Sequence, residues 1–207
     1  MLSVRFRCVA VASVLSLASA VPALGNLIQN GDFEAGNTGF TSAFTYTSVS
    51  VSPYINQYGV VNNSWQWTNF WNTVQGDHTT GQGQFLIADV GSTSTIWQQT
   101  VSVSAGTSYT LSAWLATWTT FAPATIGVEI NGQLITVWNA PSTVGPWVQS
   151  SAVWNSGAST TATIRFFATQ VFQPGDDVAF DDIQLVPGAG VLPALAGGLT
   201  LLRRRRR

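Results

Sequence analysis

The chain contains no lysine, and among its 207 residues it has one histidine, His78, and one cysteine, Cys8. All eight basic residues are arginines, and seven stand at the two ends: Arg5, Arg7 and the closing run Arg203, Arg204, Arg205, Arg206 and Arg207. Between the ends Arg165 alone stands against nine acidic residues, so the body carries a net charge of −8. A surface of that sign repels phosphate backbones, which argues against nucleic-acid binding. Cys8 precedes the first apolar run, so the rest of the chain has no disulfide and must be stabilised by its core. There is no Cys/His cluster for a zinc-type site, no phosphate-binding glycine loop and no Gly-x-Ser-x-Gly nucleophile motif. Charged residues make up only 8% of the chain, and the Ser, Thr, Asn and Gln that replace them suit a neutral, extracellular exterior.

What is present at the ends is address rather than fold. Residues 1–25 combine a basic opening, an apolar run from Val9 to Leu17 and small residues before the candidate cleavage sites Ala18-Ser19-Ala20 and Ala23-Leu24-Gly25. This is the pattern of a secretory signal peptide, expected to be helical and to be cut by signal peptidase. At the other end Val186 to Leu202 is apolar, close to the lower limit of roughly 17 residues for a membrane span, and five arginines close it. By the positive-inside rule such a cluster stays in the cytoplasm, which predicts a short anchor helix held transiently in the inner membrane. A disordered tail is the competing reading, because Pro193 and Gly197-Gly198 weaken a helix. The tail, 187–207, resembles a PEP-CTERM sorting signal, with Val186-Pro187-Gly188-Ala189 standing where that family has Pro-Glu-Pro. The resemblance implies processing near Pro187 by an exosortase-type enzyme.

The body, residues 26–186, reads as strands. β-Branched and aromatic residues alternate in short runs at 83–90, 95–103, 108–118, 147–154, 160–168 and 177–186, separated by Gly, Asn, Ser and Pro. Residues 124–138 form two such runs around Asn131-Gly132, a type I′ hairpin signal. With NLIQNGDFE at the start, about nine strands are expected, and no helical periodicity follows Leu24. The fold class is therefore all-β, a jelly-roll β-sandwich. Residues 36–80 are the exception: polar, aromatic and weakly alternating, they predict a long excursion across one rim with two short strands at most.

In a jelly roll the first and last strands lie side by side, which brings Glu34 towards Asp181. Two carboxylates meeting in a chain without lysine call for a cation, and oxygen-rich surroundings favour Ca²⁺. The competing reading leaves both as water-facing turn and strand-end residues. The motifs Asn30-Gly31-Asp32-Phe33-Glu34 and Phe180-Asp181-Asp182-Ile183 resemble the opening and closing motifs of galactose-binding-like carbohydrate-binding modules. That resemblance implies a structural calcium held by Glu34, Asp181 and the Asp32 carbonyl, with Asp77 in GDHTTGQG as a further contributor.

Nine tryptophans stand out in a chain of this size. An indole face lies well against the C–H face of a sugar ring while amides bond the hydroxyls. The candidate sugar platforms are Trp65, Trp67 and Trp71 in the excursion, and Trp114 and Trp118, which share one face of the 108–118 strand. Trp97, Trp138 and Trp154 are expected in the core. His78 has no nucleophile motif to complete a triad, and a glycosidase would need two carboxylates across a cleft, for which Glu129 and Asp89 are the outward-facing candidates.

The function expected is that of an exported, non-catalytic carbohydrate-binding module at the cell surface or outside it, acting on extracellular polysaccharide. The alternatives are a structural or adhesive protein of the envelope or extracellular matrix, and a small β-sandwich glycoside hydrolase or lyase.

Overall fold

A computed structural model of the chain describes residues 25–51, 54–68, 76–117, 121–172 and 175–188. The expected signal helix, the arginine run and the anchor segment beyond Gly188 lie outside these residues, as do Trp71 and Trp118, whereas Val186 and Pro187, at the start of the expected anchor, belong to the last strand.

Ten strands fold into two sheets. β1 (Thr45–Tyr46), β2 (Gln57–Val61), β3 (Phe85–Asp89), β5 (Ser108–Ala116), β8 (Val148–Asn155) and β10 (Val178–Pro187) make a six-stranded sheet in the order β1-β2-β3-β10-β5-β8. β4 (Thr95–Ser102), β6 (Thr125–Ile130), β7 (Gln133–Asn139) and β9 (Thr161–Ala168) make a four-stranded sheet in the order β4-β9-β6-β7. All pairs are antiparallel except β1 with β2. The two sheets enclose a core that takes alternate residues from each strand: Tyr109, Leu111, Ala113 and Leu115 from β5 face Ala162, Ile164, Phe166 and Ala168 from β9. Trp97, Trp138 and Trp154 are buried there. The β6–β7 hairpin turns at Asn131 and Gly132, both at positive φ, as a type I′ turn demands and as Gly without a Cβ tolerates.

One expectation is corrected. NLIQNGDFE is not a strand among the assigned elements. Its polar side chains replace part of the ladder: Asn26 Nδ2 donates to the Ile183 carbonyl (2.9 Å) while Asn26 Oδ1 accepts from Ile28 and Leu185 backbone N–H groups. Asn30 and Phe33, both at positive φ, then bend the chain into turns. Side-chain bonding of this kind competes with regular pairing. The excursion contains, besides β1 and β2, a single helical turn α1 (Ser64–Trp67), whose first N–H groups are capped by Asn63 Oδ1 accepting from Trp65 N at 2.9 Å.

Candidate functional site

The opening and closing motifs meet. β3 pairs with β10 only as far as Phe180, and the opening segment takes over that edge from there. Leu27 N donates to the Leu185 carbonyl and Ile183 N to the Gly31 carbonyl. A polar recess of about 180 Å³ lies where they join, lined by residues that include Asn26, Asn30, Asp32, Asp182 and Gln184. β10 is irregular between Asp181 and Gln184, with Asp182 at positive φ. This bulge lets Asp181 and Asp182 both turn towards the loop 76–84.

That loop is held almost wholly by carboxylates. Glu34 Oε1 accepts from Gln84 N (2.7 Å), and Asp181 Oδ2 accepts from His78 N (2.7 Å). Asp77 accepts from Thr80 N, Thr80 Oγ1 and Gly83 N, each at 2.8 Å. Asp182 Oδ2 accepts from Thr79 Oγ1 and meets His78 Nδ1, both at 2.7 Å. Gly83 leaves room for these carboxylates: a Cβ there would overlap Glu34 Oε1, displacing it from Gln84 N, and stand 3.0 Å from the Asp77 carboxyl. Burial raises the Asp77 carboxyl, but the hydrogen bonds from Thr80, Gly83 and Gln82 outweigh it and hold Asp77 below the usual range. Asp181, only 1% exposed, is pushed up to about 7 by burial, with Asp182 and Asp77 adding to the rise and the His78 and Asp182 N–H groups opposing it.

The donor chemistry here suits a hard cation, since carboxylate and carbonyl oxygens gather with no basic side chain except His78. The convergence is looser than a formed metal centre. Among the described residues no group of three or more His, Cys, Asp or Glu side chains is placed to hold an ion. Glu34, Asp77 and Asp181 are occupied instead as acceptors of loop N–H groups.

The loop lays His78 over the outer face of the six-stranded sheet. The imidazole stacks on Trp114 with centroids 3.6 Å apart and planes at 16°. Sheet register puts Asp181, Trp114 and Gln149 in one row across β10, β5 and β8, and Gln184, Ser112 and Ser151 in the next. Side chains in register share a face, so this is a polar surface with one aromatic stack standing on it. Nearer β2 the same face is closed by a second apolar cluster of Trp67, Phe85, Ile87, Ala116 and Ala179, with Trp147 packed against it.

The tryptophan expectations divide on this geometry. Trp65 is 46% exposed on α1 and Trp114 is half-buried beneath His78. Trp67 is corrected from platform to core: it is fully buried, and its Nε1 donates to the Thr47 carbonyl (3.0 Å) and hydroxyl (3.2 Å). Glu129 and Asp89 lie on the outer faces of different sheets, as the burial of their strand neighbours Val128, Ile130, Leu86 and Ala88 in the shared core requires. They share no cleft. Glu129 Oε2 accepts from Arg165 Nη1 at 2.9 Å, and burial alone pushes Asp89 up to about 7. His78 and Asp182, 104 positions apart, are the site residues that sequence reasoning left unassigned. An acid-flanked lone histidine in a Gly/Thr loop was their only signal.

No family model and no curated protein matches the sequence. Solved structures do match. The CBM22-1–CBM22-2 tandem domain of Paenibacillus barcinonensis Xyn10C superposes with a TM-score of 0.51 and 16% identity, over 85% of this chain and 50% of that one. The fold is a jelly-roll β-sandwich, which this chain shares with those carbohydrate-binding modules. The Stig cyclase Fisc from Fischerella sp. TAU, solved with an indole compound, shares it with a TM-score of 0.53 and 12% identity, over 79% of this chain and 96% of the cyclase. The enzymatically active domain of bacteriophage CBA120 tailspike protein 4 gives a TM-score of 0.49 and 18% identity over 78% of this chain. This chain spans about half the length of the tandem modules and 21% of the tailspike chain. Identities this low carry the fold and nothing finer.

Proposed function

We propose that this protein is an exported, non-catalytic carbohydrate-binding β-sandwich that engages extracellular polysaccharide through the outer face of its six-stranded sheet. The observation that carries the reading is the aromatic stack of His78 on Trp114, flanked by Gln149, Ser112, Ser151 and Gln184, on a carbohydrate-binding-module fold. A flat ring system bordered by amides and hydroxyls is the surface that a sugar ring and its hydroxyls fit. The signal-like opening supports export, and the tail supports transient anchoring in the inner membrane and processing by an exosortase-type enzyme, leaving the body in the envelope or outside the cell. Calcium belongs to the same reading: Glu34, Asp77, Asp181 and the Asp32 carbonyl are the oxygen donors that would hold it, and neutralising the Asp181 carboxylate is what it would supply.

Affinity electrophoresis in gels containing xylan, glucan or galactomannan tests the proposal. The protein is expected to be retarded by one or more of these, to release no reducing sugar from them, and to lose about tenfold or more in affinity on Trp114→Ala with a small change in melting temperature, since this residue is half-buried. Retardation unchanged by Trp114→Ala would move the binding surface elsewhere.

A further inference from the structure

The binding reading does not say what kind of glycan is held or which atom reads it, and the loop 76–84 bears on both. Asp182 Oδ2 accepts from the Thr79 hydroxyl and stands 2.7 Å from His78 Nδ1, so one ring nitrogen of His78 is engaged within the loop. The other, Nε2, is left to bond outward, as donor or acceptor. Nε2 has no partner among the described residues, and the His78 side chain is 27% exposed. The ring cannot swing to hide that atom, because Trp114 supports one face and Asp182 pins Nδ1.

The charge around the ring is of one sign. Asp181 and Asp182 touch His78, while Asp77 and Glu34 hold the rest of its loop. The body's one arginine is on the other sheet and is engaged by Glu129, Thr95 and Thr93. A uronate or sulfate brought to His78 would meet the Asp182 carboxylate, and among the described residues no arginine stands beside it to pair with the ligand's charge.

Resting on the binding reading above, we infer that the His78–Trp114 stack is the platform for a neutral glycan, and that His78 Nε2 hydrogen-bonds to one of its hydroxyls, which can donate or accept, while the surrounding carboxylates exclude acidic polysaccharides.

The test compares full-length wild type with His78→Phe and His78→Ala on neutral polysaccharides (xylan, glucan, galactomannan) and acidic ones (alginate, polygalacturonate), with melting temperatures taken alongside. Phenylalanine keeps a flat ring on Trp114 and removes both ring nitrogens; the melting temperature reports the lost Nδ1 contact with Asp182, and the spectra below read Nε2 alone. The wild type is expected to bind a neutral polymer and neither acidic one. His78→Phe is expected to weaken binding about fivefold, the loss of one neutral hydrogen bond, and His78→Ala to weaken it further. Two-bond ¹H–¹⁵N spectra of wild-type His78, which need no variant to fold, should show an Nε2 resonance that moves on adding the bound glycan. Binding of the acidic polymers as well as a neutral one would overturn the ligand class, with the binding reading intact. Equal binding by His78→Phe, or an Nε2 resonance that stays in place, would overturn the contact. A wild type that binds none of the polymers would sink the binding reading itself, and the inference with it.

Discussion

Around Arg165, on the outer face of the four-stranded sheet, the polar groups are consumed by one another. Arg165 donates from Nε to Thr95 Oγ1 (2.8 Å), from Nη1 to Glu129 Oε2 (2.9 Å) and from Nη2 to the Thr93 carbonyl (3.2 Å), with its guanidinium carbon 4.2 Å from the Phe167 ring centroid. Beside it the Thr100 and Thr163 hydroxyls bond each other at 2.8 Å, as do those of Thr169 and Thr125. On the outer face of the six-stranded sheet the carboxylates are spent on shaping a loop, and that loop presents an aromatic ring with a nitrogen that has no partner among the described residues. A saturated face has nothing to exchange for a ligand's hydrogen bonds, because each new contact would break an old one. A face with one fixed, unmade hydrogen bond has a vacancy that a hydroxyl fills at little reorganisation cost. The difference separates the sheet that stabilises from the sheet that binds.

The comparison would break most severely at Trp67, which the six-stranded sheet uses to seal its outer face next to the stack. Trp67→Ala removes a fully buried indole and two hydrogen bonds to Thr47, and is expected to destabilise the fold by about 3–5 kcal/mol. Urea denaturation measures it. A midpoint unchanged from wild type would mean that the second apolar cluster contributes no stability and that the outer face is open along its whole length.

The strands were legible because alternation and a hairpin signal do not depend on distant partners: β5 and β9 show a buried residue at every second position. Where side chains do the work of the backbone, alternation misleads. Residues 26–34 look like a strand by composition, yet Asn26 and Asn30 hold them through side-chain bonds to Ile183, Leu185 and Gly36. Trp67 was misread for a related reason. A polar neighbourhood in sequence says little about burial when a single helical turn delivers one residue inward, and Trp65 outward, two positions apart. The meeting of the two acidic motifs was legible from topology. The stacking of His78 on Trp114 was not, because it depends on a β10 bulge that no periodicity announces.

Calcium sharpens the contrast at a middle level. Asp181 is buried beside Asp77 and Asp182, and among the described residues no arginine stands near them. A divalent ion bound to the folded state alone would add about 2.7 kcal/mol at a concentration a hundredfold above its dissociation constant, or roughly 5–10 °C in melting temperature for a chain of this size. The expected outcome is a rise of that order in millimolar CaCl₂, reversed by EDTA. Melting curves that coincide in calcium and in EDTA would leave the carboxylates as loop anchors only.

The smallest expected effect is on the other sheet, and it decides between the faces. Arg165→Met keeps the stem that lies along Phe167 but removes three donated hydrogen bonds and leaves Glu129 half-buried without its partner. The ion pair is partly wet, so screening limits the loss to about 1–2 kcal/mol. Retention on neutral polysaccharide is expected to match the wild type, whereas Trp114→Ala should lose retention at little cost in stability. If Arg165→Met abolished retention while Trp114→Ala preserved it, the assignment of the two faces would be reversed. The hydrogen bonds around Arg165 would then be holding a ligand surface in place, and those around His78 would be fastening a loop.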